Sequence, residues 1–146
     1  KVGDQVPDFI SKDQDGTIIK LSDFQGKKLI VFFYPRANTP GCTAEACNLR
    51  DNYNSLKAAG YELLGVSEDS ARKQTNFKNK YELPFPLLSD EDHTVINAFG
   101  VWGPKKFMGR EFEGILRTTF LIDEDGVVER VIDKVKTKDH AAQILD

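Results

Sequence analysis

Apolar residues occur along the chain in short continuous runs separated by polar segments, a pattern typical of buried strands joined by helices. The run KKLIVFFYP is bounded by Gly26 and Pro35 and is rich in β-formers, which predicts a central strand buried on both faces. YELLGVS predicts a second buried strand and FPLLSD a third. DFISKDQDGTIIKLSDF and RTTFLIDEDGVVERVID each place an Asp-Gly pair between short apolar stretches, which predicts two β-hairpins.

Helical spacing fills the segments between the predicted strands. Apolar and small residues recur with a helical period from Thr39 to about Ala59, and Gly60 marks the end. SARKQTNFKNKYEL predicts a polar helix, DHTVINAFG a short helix capped by Asp90 or Asp92, and the last residues the start of a closing helix. VWGPKKFMGREFEGI has glycines, a proline and no period, which predicts a loop over one end of the sheet.

Strands that alternate with helices predict an α/β fold with right-handed crossovers. We expect a central mixed, mostly parallel sheet flanked by helices, with β-hairpins in the N-terminal and C-terminal parts of the chain. A length of 146 residues fits one domain over residues 1–146, and the sequence contains no repeat, low-complexity segment or linker.

Charge and composition argue against two classes of partner. The formal charge is −3 and the basic residues are scattered, so neither a nucleic-acid-binding face nor a polybasic membrane patch is expected. The chain opens with KVGDQVPDF, which has no apolar signal segment, and the run LIVFFY is too short to cross a bilayer. We therefore expect a cytoplasmic protein.

Signals for a metal or cofactor are weak. His93 and His140 lie far apart in the sequence and near no cysteine, and such residues are most often solvated. DQDG and DEDG resemble the start of calcium-binding loops but lack the ligands that should follow, so we interpret both as turns. We expect neither a metal site nor a bound cofactor.

Both cysteines of the chain lie in FYPRANTPGCTAEAC, directly after the predicted central strand. Two cysteines are too few for a secreted disulfide framework. With Thr39 as the N-cap and Pro40 as the first helical residue, Cys42 lies in the first turn of the predicted helix. The positive end of the helix dipole stabilises an anion there by about 0.3–1 kcal/mol, so the thiolate is favoured. Cys42 is therefore a candidate nucleophile, and the alternative is a small buried hydrophobic residue at a helix start.

The cysteine segment resembles the peroxiredoxin family. PRANTPGC carries the P-x-x-x-T-x-x-C signature of that family at Pro35, Thr39 and Cys42, with the glutamate of the family at Glu45. NTPGCTAEAC is similar to the bacterioferritin-comigratory or Q-type subfamily, in which the resolving cysteine lies on the same helix, here Cys47.

A later segment strengthens the resemblance. FGVWGPKKFMGREFEGILRTTFLID is similar to the corresponding part of the same subfamily and places its arginine at Arg117. The resemblance runs over nearly the whole chain and implies a thioredoxin-like fold. The departures are mild: RAN replaces an expected lysine and acid before the asparagine, and Leu116 stands where the family often has an acid.

The resemblance implies a thiol peroxidase of the atypical two-cysteine type that acts in antioxidant defence. Cys42 would attack a hydroperoxide and become a sulfenic acid, and Cys47 would resolve it as an intramolecular disulfide. Thioredoxin or a similar dithiol would reduce the disulfide. The subfamily is usually monomeric, so a monomer is also implied.

The resemblance also assigns supporting roles, each with a simpler alternative. Arg117 would hold the thiolate and the leaving oxygen, or would be an ordinary strand-end arginine paired with an acid. The hydroxyl of Thr39 would bond peroxide or sulfur, or would only cap the helix. Pro35 would shape and dry the pocket, or would only end the strand. Glu45 would orient an arginine, although the helix dipole equally explains a surface acid there.

Two other functions remain open from the sequence. A thioredoxin-like thiol-disulfide oxidoreductase would use the same fold, but such a protein normally carries C-x-x-C, which this chain lacks. The second is a redox-regulated binding module without enzymatic activity. Rapid loss of hydroperoxide on addition of the reduced protein would distinguish a peroxidase from both.

The spacing of the cysteines predicts a conformational change. In a regular helix from Pro40, the Cα atoms of Cys42 and Cys47 are about 8.5 Å apart, beyond the limit of about 7 Å for a disulfide without backbone movement. We therefore expect the helix to unwind locally, from about Gly41 to Asn48, before the two sulfurs can join.

Overall fold

A five-stranded mixed sheet forms the centre of the structure, a computed structural model that describes residues 2–145 and, within them, every side chain except that of Phe107. The strands are β1 (Ile10–Lys12), β2 (Ile18–Lys20), β3 (Lys28–Phe33), β4 (Tyr61–Ser67), β5 (Leu87–Ser89), β6 (Trp102–Phe107), β7 (Arg110–Ile115), β8 (Thr118–Ile122) and β9 (Val128–Ile132). The helices are α1 (Pro40–Asp51), α2 (Tyr53–Ala58), α3 (Ala71–Lys80), α4 (Thr94–Phe99) and α5 (His140–Leu145), with a 3-10 turn at Leu21–Phe24.

The central sheet has the strand order β5-β4-β3-β8-β9. β3 pairs in parallel with β4, and β4 with β5, whereas β3 pairs antiparallel with β8, and β8 with β9. The prediction of a mixed α/β sheet flanked by helices and two hairpins is confirmed. Parallel and antiparallel pairs are equally represented, rather than mostly parallel, because the β8–β9 hairpin joins the sheet directly beside β3.

Strand β3 lies in the middle of the sheet, and both of its faces are covered. Every residue of β3 from Leu29 to Phe33 is buried, and successive side chains point to opposite faces of the sheet. Ile30 and Phe32 enter the core that lies under α1, α2 and α3, whereas Val31 enters the core under α4 and the N-terminal segment. A continuous apolar run, rather than an alternating one, follows from this double burial.

The single helix predicted from Thr39 to Ala59 is two helices. α1 ends at Asp51 and α2 begins at Tyr53, while Asn52 between them has φ −109° and ψ 15°. The side-chain amide of Asn52 donates to the carbonyl of Asn48 at 2.8 Å, and a side chain inserted into the helical ladder is a known cause of a bend. The helical period continues across the break because α1 and α2 pack on the same core.

The segment predicted as a loop, VWGPKKFMGREFEGI, is a β-hairpin, so that prediction was wrong. β6 and β7 pair antiparallel along their whole length and turn at Met108 and Gly109, which both have positive φ. The first four residues of β7 are exposed, so this strand has no apolar face. Backbone pairing alone leaves no hydrophobic period for sequence analysis to detect.

The three remaining predicted helices are present as α3, α4 and α5, although the N-cap residue of α4 is His93 rather than Asp90 or Asp92. Asp90 and Asp92 both accept backbone N–H groups at the start of α4, and α5 is the predicted closing helix. Across residues 2–145, no helix has the length and apolarity that a membrane span requires.

Candidate active site

The cysteine segment begins at the carboxyl end of β3, as expected. Thr39 occupies the N-cap position with extended backbone angles, and Pro40 is the first residue of α1. Cys42 therefore lies in the first turn and is only 2% exposed, whereas Cys47 on the same helix is half-buried. Both cysteines are free thiols in the structure.

Arg117 connects two side chains of α1. Its Nη2 donates to Cys42 Sγ at 3.1 Å, and its Nη1 donates to Glu45 Oε1 at 2.6 Å. Gly41 makes this approach possible, because a Cβ at that position would lie only 3.3 Å from Arg117 Nη2. One guanidinium thus faces a thiol and a carboxyl group in the first turns of α1.

Glu45 is completely buried, which excludes the alternative of a surface acid that responds only to the helix dipole. Burial raises the pKa of Glu45 to about 7, although the charge of Arg117 and its hydrogen bond act in the opposite direction. Burial also disfavours the charged guanidinium, but the negative charges of Cys42 and Glu45 raise the pKa of Arg117 above its ordinary value. Arg117 therefore stays a cation in this site.

A second cation, which sequence analysis did not single out, approaches from β6. The Nζ of Lys105 donates to the carbonyl of Ile115 at 2.8 Å. Burial and the charge of Arg117 lower the pKa of Lys105, while Cys42 acts in the opposite direction. No sequence signal could have found Lys105, because its position depends on the hairpin that was predicted as a loop.

Thr39 and Pro35 lie beside the start of α1. The hydroxyl of Thr39 donates to the carbonyl of Arg36 at 2.9 Å and makes no side-chain hydrogen bond to the helix, so the predicted side-chain cap is wrong. Because the hydroxyl hydrogen points to Arg36, it does not reach the sulfur of Cys42, but the oxygen keeps its capacity to accept a hydrogen bond. Pro35 is half-buried and directly follows the buried Tyr34.

A buried polar network fixes the loop that carries these residues. Asp69 Oδ2 accepts hydrogen bonds from the backbone N–H of Ala37 at 2.7 Å and from Ser67 Oγ at 2.8 Å. Gln74 Nε2 donates to the same hydroxyl of Ser67 at 3.0 Å, and the hydroxyl of Tyr34 donates to Gln74 Oε1. The loop between β3 and α1 is therefore anchored to β4 and α3.

His140 lies in the site, contrary to the expectation that it is solvated. It is completely buried, with Nε2 2.7 Å from Thr119 Oγ1 and 3.6 Å from Glu45 Oε2. Its Nδ1 lies 2.8 Å from Gln143 Oε1. His93, by contrast, is half-buried and pairs with an exposed glutamate, Glu68.

The burial of His140 results from the packing of α5 on α1. Asn48 Oδ1 accepts the backbone N–H of Ala141 at 2.7 Å, and Asn48 Nδ2 donates to the carbonyl of Lys138 at 3.0 Å. One sequence signal was available: His140, Ala141 and Ile144 share one face of a helix, and all three are buried. A histidine on the apolar face of a closing helix is a core residue rather than a solvated one.

The arrangement can stabilise and use a thiolate. A guanidinium that donates to sulfur at the positive end of a helix is the kind of environment that favours the thiolate of a cysteine. The same fixed donors can stabilise negative charge that develops on an atom attacked by the sulfur. Within residues 2–145, no group of three or more His, Cys, Asp or Glu side chains is arranged to hold a metal ion.

Comparisons with known proteins identify the family that this chain matches. The model of the AhpC/TSA family matches residues 2–131. Peroxiredoxin Bcp of Escherichia coli K12 is 52% identical over 146 residues, which are 100% of this chain and 94% of the E. coli protein.

Solved structures give the same result. Peroxidoxin BcpB of Mycobacterium tuberculosis matches with a TM-score of 0.87 and 39% identity over 99% of this chain and 94% of that one. The bacterioferritin comigratory protein of Xanthomonas campestris, described for its alkyl peroxide reduction activity, matches with a TM-score of 0.87 and 36% identity over 94% of this chain and 87% of that one.

The buried carboxyl group of Glu45 leads to a prediction about stability. Its pKa is about 7 in the folded protein, against an ordinary value of 4.5, so the folded state binds this proton more tightly. The stability that this proton contributes is complete below about pH 4.5 and is lost as the pH rises through about 7. Glu45→Gln should therefore gain up to about 3 kcal/mol in free energy of unfolding, relative to the wild type, between pH 4.5 and pH 8.

Urea unfolding at a series of pH values measures this difference. The control is Glu129→Gln, which changes an exposed glutamate of β9 and should show no such gain. If the free energies of unfolding of Glu45→Gln and the wild type differed by the same amount at every pH from 4.5 to 8, the burial argument would be contradicted.

Proposed function

The chain belongs to the AhpC/TSA family and, within it, to the Bcp or Q-type peroxiredoxins, and on this premise we propose that it is a thioredoxin-dependent peroxidase of the atypical two-cysteine type. The relatives support a thiol peroxidase activity. In the proposed reaction, Cys42 reduces hydrogen peroxide and organic hydroperoxides, Cys47 resolves the product, and thioredoxin restores both thiols. The observation that carries this proposal is the hydrogen bond of 3.1 Å from Arg117 Nη2 to Cys42 Sγ in the first turn of α1.

The first step is an attack by the thiolate of Cys42 on one oxygen of the hydroperoxide. The O–O bond breaks, the sulfur becomes a sulfenic acid, and the other oxygen leaves as hydroxide or alkoxide, which takes up a proton to form water or an alcohol. Arg117 is the proposed electrostatic partner of the thiolate and of the leaving oxygen. Thr39 is proposed to accept a hydrogen bond from the peroxide, and Pro35 to exclude water from the pocket.

The two cysteines of α1 lie in different environments, which supports different roles. Cys42 is bonded to a guanidinium. Burial raises the pKa of the Cys47 thiol, and the charge of Arg50 only partly opposes this effect. Cys47 thus stays a thiol until a sulfenic acid comes within its reach, as a resolving cysteine should.

Resolution requires movement of the backbone. Cys42 and Cys47 belong to the same uninterrupted helix, α1, so their Cα atoms are about 8.5 Å apart by helical geometry, too far for a disulfide. We propose that residues 41–48 unwind after peroxide has reacted. The resulting disulfide would be exposed to a dithiol reductant such as thioredoxin.

The burial of Cys42 also bears on the alternative functions. A cysteine residue that is only 2% exposed can react with a small hydroperoxide more readily than with a disulfide on another folded protein. This observation favours a peroxidase over a general thiol-disulfide oxidoreductase. A binding module without activity would not need an arginine held against the sulfur.

The proposal includes three points that solution experiments test directly. Light scattering should give the mass of a monomer, and cell fractionation should place the protein in the cytoplasm.

Catalytic turnover of hydrogen peroxide or of an alkyl hydroperoxide should require thioredoxin, thioredoxin reductase and NADPH. Without that system, the reduced wild-type protein should consume about one equivalent of hydroperoxide for each Cys42 and then stop. A dimer, export from the cytoplasm or turnover without thioredoxin would each contradict the corresponding point.

The roles of the two cysteines can be separated by substitution. Cys42→Ser should eliminate the consumption of hydroperoxide, whereas Cys47→Ser should still consume about one equivalent and stop at a sulfenic acid. Mass spectrometry with a sulfenate trap identifies the oxidised residue. A trapped sulfenic acid at Cys47 in the wild type, with Cys42 unmodified, would reverse the assignment.

The role of Arg117 can be tested by kinetics. Arg117→Ala should lower the thiolate fraction of Cys42 and slow its reaction with hydrogen peroxide more than tenfold, which is about 1.4 kcal/mol or more of lost transition-state stabilisation. Stopped-flow measurement of the second-order rate constant gives the effect. Arg72→Ala, which changes an exposed arginine of α3, is the control and should react like the wild type. An unchanged rate constant in Arg117→Ala would remove Arg117 from the mechanism.

The proposed unwinding predicts a change in hydrogen exchange. In the disulfide form, the amides of residues 41–48 should lose protection, because the helical hydrogen bonds of that segment are broken. The amide of Ala141 should lose protection too, because its acceptor is the side chain of Asn48. Reduced Cys47→Ser, which has no sulfenic acid and cannot form the disulfide, is the control and should keep its protection. A wild-type disulfide formed while α1 stays protected would show the unwinding argument to be wrong.

A further inference from the structure

The two oxygens of the Glu45 carboxyl group have different surroundings. Oε1 accepts the 2.6 Å hydrogen bond from Arg117, whereas Oε2 has no hydrogen-bond partner among the residues that the structure describes. His140 Nε2 lies 3.6 Å from Oε2, which is too long for a hydrogen bond. A fully buried carboxyl oxygen without a partner is costly unless it carries a proton or meets a cation.

The hydrogen bonds of His140 show which ring nitrogen can exchange a proton. Gln143 Oε1 also accepts the backbone N–H of Lys136, so it is an acceptor and His140 Nδ1 carries the hydrogen. Nε2 is therefore the nitrogen that gains or loses a proton. The hydroxyl of Thr119, 2.7 Å away, can donate to a bare Nε2 or accept from a protonated one. The ring can take up a proton without losing a partner.

The charges around Arg117 favour one bound proton on the pair formed by Glu45 and His140. A thiolate at Cys42 and a carboxylate at Glu45 would place two negative charges on one guanidinium in a buried site, which low dielectric disfavours. One proton held by Glu45 and His140 makes the group formed by Arg117, Cys42 and Glu45 neutral. When Cys42 becomes an uncharged sulfenic acid, Arg117 needs the carboxylate, and the site is neutral again only if that proton leaves.

Groups on every neighbouring element contribute to this balance. Arg117, before β8, faces both Glu45 and His140, and Arg130 on β9 faces His140. Cys42 on α1 and Lys105 on β6 act on the pair through Arg117. Burial raises the pKa of Glu45 to about 7 and lowers that of His140. These opposite directions favour the proton on Glu45 rather than on His140, whose Nε2 can then accept the hydroxyl hydrogen of Thr119.

We propose that His140 is a positioning residue of the peroxidase: together with Glu45 it holds one proton while Cys42 is a thiolate, and the pair releases that proton when Cys42 is oxidised. This inference rests on the proposed function. The step is balanced: the thiolate and hydroperoxide give sulfenic acid and alkoxide, and the alkoxide gains the equivalent of the proton that the pair loses. His140 touches neither sulfur nor peroxide and acts through Glu45.

His140→Gln tests the proposal in the Cys47→Ser background. Glutamine can still bond Thr119 and Gln143 but cannot hold a proton. Glu45 alone should retain its proton less well than in the parent, where its pKa is about 7, so it should ionise at a lower pH and compete with Cys42 for the guanidinium. Alkylation of Cys42 by iodoacetamide should therefore be about threefold slower than in the Cys47→Ser parent near pH 7.

The dependence on pH distinguishes proton sharing from simple structural damage. The ratio of the two alkylation rates should approach one at about pH 5, where Glu45 is protonated in both proteins, and at about pH 9, where it is ionised in both. His93→Gln, which changes the second histidine of the chain, is the matched control and should follow the parent at every pH. Equal rates at every pH, or a uniform loss, would overturn the proposal.

A second measurement keeps His140 in place and needs no peroxide. The ring nitrogens of His140 are followed by NMR against pH in the reduced wild type and in Cys42→Ser, whose hydroxyl is uncharged like the sulfenic acid. The pH at the midpoint of the chemical-shift change of the His140 ring should be about one unit lower in Cys42→Ser than in the wild type. The reason is that Arg117 then attracts only the carboxylate of Glu45. An unchanged midpoint would overturn the inference about His140, whereas a wild type that consumes no hydroperoxide would overturn the proposed function.

Discussion

The contact of one guanidinium with both a thiol and a carboxyl group determines how this site is built. Arg117 meets Cys42 and Glu45 because the residue before β8 lies beside the carboxyl end of β3, where Phe33 pairs with Thr118. The antiparallel register of β8 on β3 therefore brings residues 75 positions apart in sequence into contact. A parallel neighbour would have placed the start of its strand at the opposite end of the sheet.

The buried acid makes the site sensitive to its surroundings. A pair formed only by an arginine and a thiolate would have no net charge before oxidation. After oxidation to the uncharged sulfenic acid, it would have a net charge of one positive unit. Glu45 adds a negative charge that can be present or absent, and its full burial makes the difference energetically large. His140, on α5, lies 3.6 Å from this carboxyl group, so an element that carries no cysteine takes part in the electrostatics of the site.

Sequence analysis predicted the parts of the fold that have a strong hydrophobic period. The buried strand β3 and the start of α1 at Pro40 follow directly from an apolar run and a capping pattern. The signature of the family led to Cys42 and Arg117, and the structure places them in contact. The β6–β7 hairpin was missed because it buries too little to leave a period, and His140 because its burial depends on the packing of α5 against α1.

The bend at Asn52 has a consequence for how α1 can open. α1 ends at Asp51, just beyond the residues proposed to unwind, because the backbone angles of Asn52 depart from those of a helix while its N–H and side chain both bond the carbonyl of Asn48. α2 continues on the other side of the bend and is held separately, with Leu56 fully buried in the core. One apparent helix therefore consists of two segments, and unwinding of α1 can stop at Asn52 without propagating into α2, although it removes Cys42 and Ala46 from their positions in the core.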